Sequence, residues 1–141
     1  MDDFDPAPTI NAALVKAIHN EILDSVQGGL RGPTNDGLLE SALARVQQYV
    51  YYEGLNDIYV IAAWYGISIA TQHAFKDGNK RTGLTVMLTY LRMQGVYIEP
   101  NQDLDDMMVD IVESAQSCED GGHKEIAEAL GDYLYQYVHQ L

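Results

Sequence analysis

Apolar residues return every third or fourth position along most of the chain, the spacing that gathers them on one face of an α-helix. Over residues 10–26 they fall at Ile10, Ala13, Leu14, Ala17, Ile18, Ile22 and Val26, with Thr9 placed to cap the start. A second helix, opened by Asn35 or Asp36, carries Leu38, Leu39, Ala42, Leu43 and Val46 inward and is expected to fray near Tyr51. Asn56 or Asp57 opens a third through Ile58, Ile61, Ala62, Tyr65 and Ile69. That helix is apolar nearly all round, which places it at the centre, covered by its neighbours. A fourth starts at Asn79, carries Leu84, Met87, Leu88 and Leu91, and stops before Gly95. Helical patterns over residues 104–117 and 124–139 complete the set, and only Val96, Tyr97 and Ile98 read as extended. The pattern therefore predicts an all-α fold: one compact bundle of about six helices with at most a short extended segment. A single domain is expected over residues 1–141, with residues 1–8 a flexible N-terminal tail.

Residues 28–37 interrupt the pattern with four glycines and Pro33, too much backbone freedom for regular structure. This loop could present or clamp a target, or simply connect two helices. Composition narrows the function classes. A formal net charge of -13 would repel a phosphate backbone, so bulk nucleic-acid binding is not expected. With one cysteine, Cys118, neither an intrachain disulfide nor a thiolate metal cluster can form, which fits a reducing cytoplasm. The N-terminus opens with acidic residues and proline where an export signal needs basic residues and an apolar run. The most apolar stretch, residues 58–70, is too short to span a bilayer and is broken by Gly66 and Ser68, so no membrane partner is expected either.

Candidate chemistry is concentrated in His73-Ala74-Phe75-Lys76-Asp77-Gly78-Asn79-Lys80-Arg81-Thr82-Gly83-Leu84, where a base, an acid, a glycine turn and two cations surround one helix start. Unpaired amides at a helix N-terminus sit at the positive end of its dipole, so Gly78, Asn79 and Lys80 offer an anion site suited to phosphate. Asn79 can cap the helix, and the Arg81 guanidinium can fork onto phosphate oxygens. Asp77 is the candidate Mg2+ ligand, because a carboxylate beside phosphates is how proteins usually hold that ion. His73 is the candidate general base, histidine being the side-chain type best suited to proton transfer near neutrality. Phe75, between base and turn, is expected to bury itself and fix the loop. Taken singly, each of these residues has an ordinary structural explanation; together, at this spacing, they form a specific constellation.

These residues resemble the Fic signature, H-x-F-x-D/E-G-N-G-R-x-x-R, and more closely its death-on-curing (Doc) variant, H-x-F-x-D-x-N-K-R-T. His19 in the first helix, Gly28-Gly29, the stretch of residues 38–45, and Tyr90-Leu91-Arg92 before Gly95 extend the likeness to most of residues 13–137. The resemblance implies a compact helical toxin paired with a small cognate antitoxin of the prevent-host-death type. It also implies Mg2+ and ATP, or another nucleoside triphosphate, as cofactor and co-substrate, and a protein hydroxyl as acceptor, the threonine of elongation factor Tu being the family's best understood target. By position it makes His73, Lys80 and Arg81 catalytic, Asp77 the metal ligand, and Gly78, Asn79, Lys80 and Arg81 the phosphate turn. Fic adenylyltransferases have glycine at the position of Lys80 and a second arginine at that of Leu84, so γ-phosphate transfer is the expected reaction. AMP transfer and a non-catalytic nucleotide- or partner-binding module are the alternatives. Gly32, where relatives often show aspartate, and Thr85, in place of an asparagine, depart from the pattern. The self-inhibitory S/T-x-x-x-E-G/N motif has no match, so restraint is expected to come from another chain.

Overall fold

The computed structural model describes residues 10–25, 32–117 and 122–139. The tail over residues 1–8, Thr9, Val26, Gly28, Gly29 and Cys118 lie outside the described residues. Six helices follow one another: α1 (Ala12–Ser25), α2 (Asp36–Glu53), α3 (Ile58–Gln72), α4 (Asn79–Met93), α5 (Gln102–Ser117) and α6 (Gly122–His139). No strand forms among the described residues, Val96, Tyr97 and Ile98 included. Among those residues, too, no helix is long and apolar enough to cross a membrane.

Local chemistry sets the boundaries. The Asn11 side chain accepts the Leu14 amide at 2.9 Å, so α1 begins two residues later than the apolar spacing alone suggests. Asn35 caps α2 by accepting the Leu38 amide, which draws Asp36 and Gly37 out of the loop and into the helix. At its other end α2 runs past Tyr51 to Glu53 and is closed by Gly54 at φ 61, a left-handed position that glycine adopts without strain. Asp57 accepts the amides of Tyr59 and Val60 to open α3.

Every residue of α3 from Ile61 to Ala70 is buried, as its all-round apolar pattern predicts, because α2, α4, α5 and α6 all pack against it. Within that run the buried Ser68 hydroxyl is satisfied by the Ala42 carbonyl of α2 at 2.8 Å. Small residues let two of these neighbours come close. A Cβ on Gly83 of α4 would stand 2.6 Å from the Gly66 carbonyl oxygen, and one on Gly131 of α6 would stand 2.8 Å from Val60 Cγ2. The close α3–α4 crossing also positions residues 73–78, which the end of α3 and the start of α4 bracket.

Candidate active site

The chain leaves α3 at His73, which caps the helix at φ 56 and ψ 42 and is the one non-glycine residue with positive φ among those described. A left-handed residue stops a helix by turning its next amide out of register, so His73 emerges at the surface while Ala74 and Phe75 fold back into the core. The side chain of Asn79 then reaches back across the turn. Its Oδ1 accepts the Phe75 amide at 3.1 Å and its Nδ2 donates to the Phe75 carbonyl at 2.8 Å, satisfying both backbone groups of one residue.

This arrangement corrects the expectation that Asn79 caps α4. Gly78 is the N-cap, at φ 81, and no side chain caps the helix; Asn79 is already its first residue, one position too late, and its amide group is spent on Phe75. The first amides of α4 are thus left uncovered by any side-chain cap at the positive end of the helix dipole.

They open onto a cavity of about 610 Å³, within the usual size of a small-molecule site. The turn and α4 supply one wall, bringing His73, Asp77, Gly78, Asn79, Lys80 and Arg81 together as the sequence motif implies, with Lys76 beside them. Lys76, Lys80 and Arg81 are all exposed. They are three of only eight Lys and Arg residues in a chain of net charge -13, so positive charge is concentrated at this opening. Asp77 accepts the Gly78 amide at 2.8 Å through Oδ1.

The opposite wall comes from α5, whose Asp105, Met108, Val109, Val112 and Gln116 recur at three and four and so share one face. The sequence pattern does not distinguish these residues, because a cavity-lining stripe has the same period as a core-facing one. Gln116 Nε2 lies 3.0 Å from His73 Nε2, and since an amide nitrogen can only donate, the imidazole nitrogen accepts. This contact leaves the ring proton on Nδ1 and turns the basic nitrogen toward the cavity side of α5.

Two further elements support the turn from behind. His19 of α1 is buried, stacks on Phe75 with ring centroids 3.8 Å apart and planes 11° from parallel, and donates from Nε2 to the Asp77 carbonyl at 2.7 Å. Phe75, 4% exposed, is held as a packing residue. The described end of the glycine-rich segment lies against the same turn: Asn35 donates its amide to the Ala74 carbonyl at 2.8 Å, and a Cβ on Gly32 would meet Lys76 Cδ at 3.1 Å.

A six-helix fold that presents this histidine, turn and helix start to one cavity defines a class. The chain belongs to the Fic/DOC family, whose sequence profile matches residues 9–91. Among individual proteins it is similar to one called protein kinase doc from Escherichia phage P1, at 38% identity over 93 residues, 66% of this chain and 73% of the relative. It is also similar to a toxin Doc from Mycolicibacterium smegmatis (strain ATCC 700084 / mc(2)155), at 39% identity over 70 residues, 49% of this chain and 54% of that relative.

Proposed function

We propose that the chain is the toxin of a toxin–antitoxin pair and transfers the γ-phosphate of ATP to a protein hydroxyl. The observation that carries this reading is the convergence of His73, the cations Lys80 and Arg81, and the uncapped start of α4 on one cavity. An imidazole beside an anion-binding helix start suits phosphoryl transfer, where catalysis is mainly positioning and charge neutralisation. The similarity to a protein kinase doc and a toxin Doc favours the same chemistry and a small antitoxin partner. Elongation factor Tu is the acceptor that the resemblance suggests, and the cytoplasm the compartment.

In this reading an acceptor hydroxyl displaces the Gln116 amide from His73 Nε2, and that nitrogen takes its proton. As the hydroxyl oxygen bonds to the γ-phosphorus, the bond to the β–γ bridging oxygen breaks and ADP departs with the electron pair. The amides of Asn79 and Lys80 hold phosphate oxygens, the Gly78 amide being taken by Asp77 Oδ1, and Lys80 and Arg81 offset the charge that builds on them. Mg2+ carried in with a nucleotide would need only one or two protein carboxylates. Asp77 on the turn and Asp105 on the facing wall are the carboxylates that line the cavity. Bound there, Mg2+ would supply further neutralisation of phosphate charge.

Leu84 lines the cavity where AMP-transferring relatives carry a second arginine, which favours γ-phosphate transfer over AMP transfer. Incubating the purified chain and an acceptor protein with γ-labelled or α-labelled ATP decides between them. We expect γ-label on the acceptor and its loss with His73→Ala. Transfer of α-label instead makes the chain a nucleotidyltransferase, and undiminished toxicity of His73→Ala makes it a non-catalytic binding module.

A further inference from the structure

The chemistry proposed for the turn needs its backbone to face the cavity in one orientation, and the turn cannot secure this by itself. Residues 76–78 have no regular structure, and Gly78 is at φ 81, a region where glycine moves freely. The Asp77–Gly78 peptide is nevertheless gripped on both sides. Its carbonyl accepts from His19 Nε2 at 2.7 Å, and its N–H donates to Asp77 Oδ1 at 2.8 Å. Because the described chain contains no cis peptide, these two groups point in opposite directions across one rigid plane. Whatever holds the carbonyl toward α1 therefore turns the N–H, and the helix start that follows it, toward the cavity.

His19 is built for that task. Its ring is 6% exposed and fixed by the parallel stack on Phe75, whose own backbone is clamped by Asn79. A Cβ placed on Gly78 would stand 3.6 Å from His19 Cδ2, so the ring also backs the glycine itself. A buried histidine serving only to fill α1's packing face would need no partner 58 positions away, and leucine would fill it without a polar group to satisfy.

We propose that His19 is a positioning residue that sets the phosphate-binding turn by holding the Asp77 carbonyl, and so governs nucleotide affinity without touching the nucleotide. This inference rests on the reading of the turn as a phosphate site. Two variants separate the hydrogen bond from the packing. His19→Phe keeps a flat ring against Phe75 and removes the donor; His19→Gln keeps a donor near the position of Nε2 and removes the ring. Calorimetry with ATP and Mg2+, without acceptor protein, reads affinity, and the amide resonance of Gly78 reads the turn.

Loss of one hydrogen bond of about 1 kcal/mol or slightly more predicts roughly tenfold weaker ATP binding by His19→Phe. We expect that loss with a moved Gly78 resonance, and recovery to within about threefold of the original chain in His19→Gln, since the donor is restored. ATP binding by His19→Phe equal to that of the unmodified chain, with Gly78 unmoved, overturns the proposal. So does a His19→Gln chain as weak as His19→Phe, which would reduce the residue to packing. If the unmodified chain binds no ATP, the phosphate reading of the turn falls, and the Gly78 resonance still reports whether His19 holds it.

Discussion

At the scale of single residues, the site depends on a backbone conformation that its histidine does not favour. His73 occupies the left-handed region at φ 56, where a side chain's Cβ is crowded, and the protein keeps it there because that geometry ends α3 and swings the imidazole toward Gln116. Glycine meets no such crowding, so His73→Gly is expected to raise the unfolding free energy by about 1 kcal/mol. His73→Ala retains a Cβ and gains nothing. Both should abolish transfer, and urea unfolding of the two variants beside the original chain checks the contrast. A stability gain in His73→Ala equal to that in His73→Gly would show that backbone strain is not the cause. The same scale shows where sequence reading stops. Asn79 suits a helix cap by residue type, yet its amide serves Phe75 instead, a choice fixed by the left-handed Gly78 one position earlier.

Between elements, the distance from α3 to α4 sets how far His73 stands from the amides and cations that share its cavity. Gly83 allows that distance, since any side chain there would press on the Gly66 carbonyl, which is backbone and cannot swing aside. Gly131 does the same for α6 against Val60, near the opposite end of α3. From Val60 to His73 is about 20 Å along a helix of this rise. Gly83→Ala and Gly131→Ala should each destabilise the fold by about 1–3 kcal/mol through overpacking. Only Gly83→Ala should also weaken ATP binding, because only it displaces α4 relative to the turn. Equal affinity in the two variants, measured well below their unfolding temperatures, would count against the α3–α4 crossing as the element that spaces the site. Much of this architecture is legible in the sequence. The periodicity of α2, the unbroken apolar run of α3 and the contiguous motif from His73 to Leu84 predict both the bundle and one wall of the cavity. The other wall is not legible, because Asp105, Met108, Val112 and Gln116 carry the spacing of any amphipathic helix. His19 stands out only by resemblance, since no local pattern tells it that Asp77 is its partner.

For the molecule as a whole, charge and burial act on different regions. The surface is acidic and the cavity mouth basic, while the core is apolar but not free of titratable groups. Tyr65 and Tyr90 face each other between α3 and α4 with ring centroids 5.3 Å apart, 1% and 0% exposed. Burial pushes the Tyr65 phenol up from 10.0 to about 12, and burial together with neighbouring Tyr65 pushes Tyr90 up as well. An unfolded chain releases these protons near pH 10, whereas the folded chain retains them. Above that pH the folded state binds more protons than the unfolded one, so stability falls as pH rises from about 10 toward 12; below about 10 both states are protonated and the phenols contribute no slope. The bundle should therefore loosen first at alkaline pH along the α3–α4 contact that spaces the site. The Tyr90 hydroxyl has no hydrogen-bond partner, so Tyr90→Phe removes a titrating group without breaking a bond. We expect that variant to be at least as stable as the original chain at pH 9 and to lose less of its urea midpoint between pH 9 and pH 11, values chosen to bracket the ordinary phenol pKa of about 10. An equal loss in both proteins would mean that the buried phenol does not limit alkaline stability.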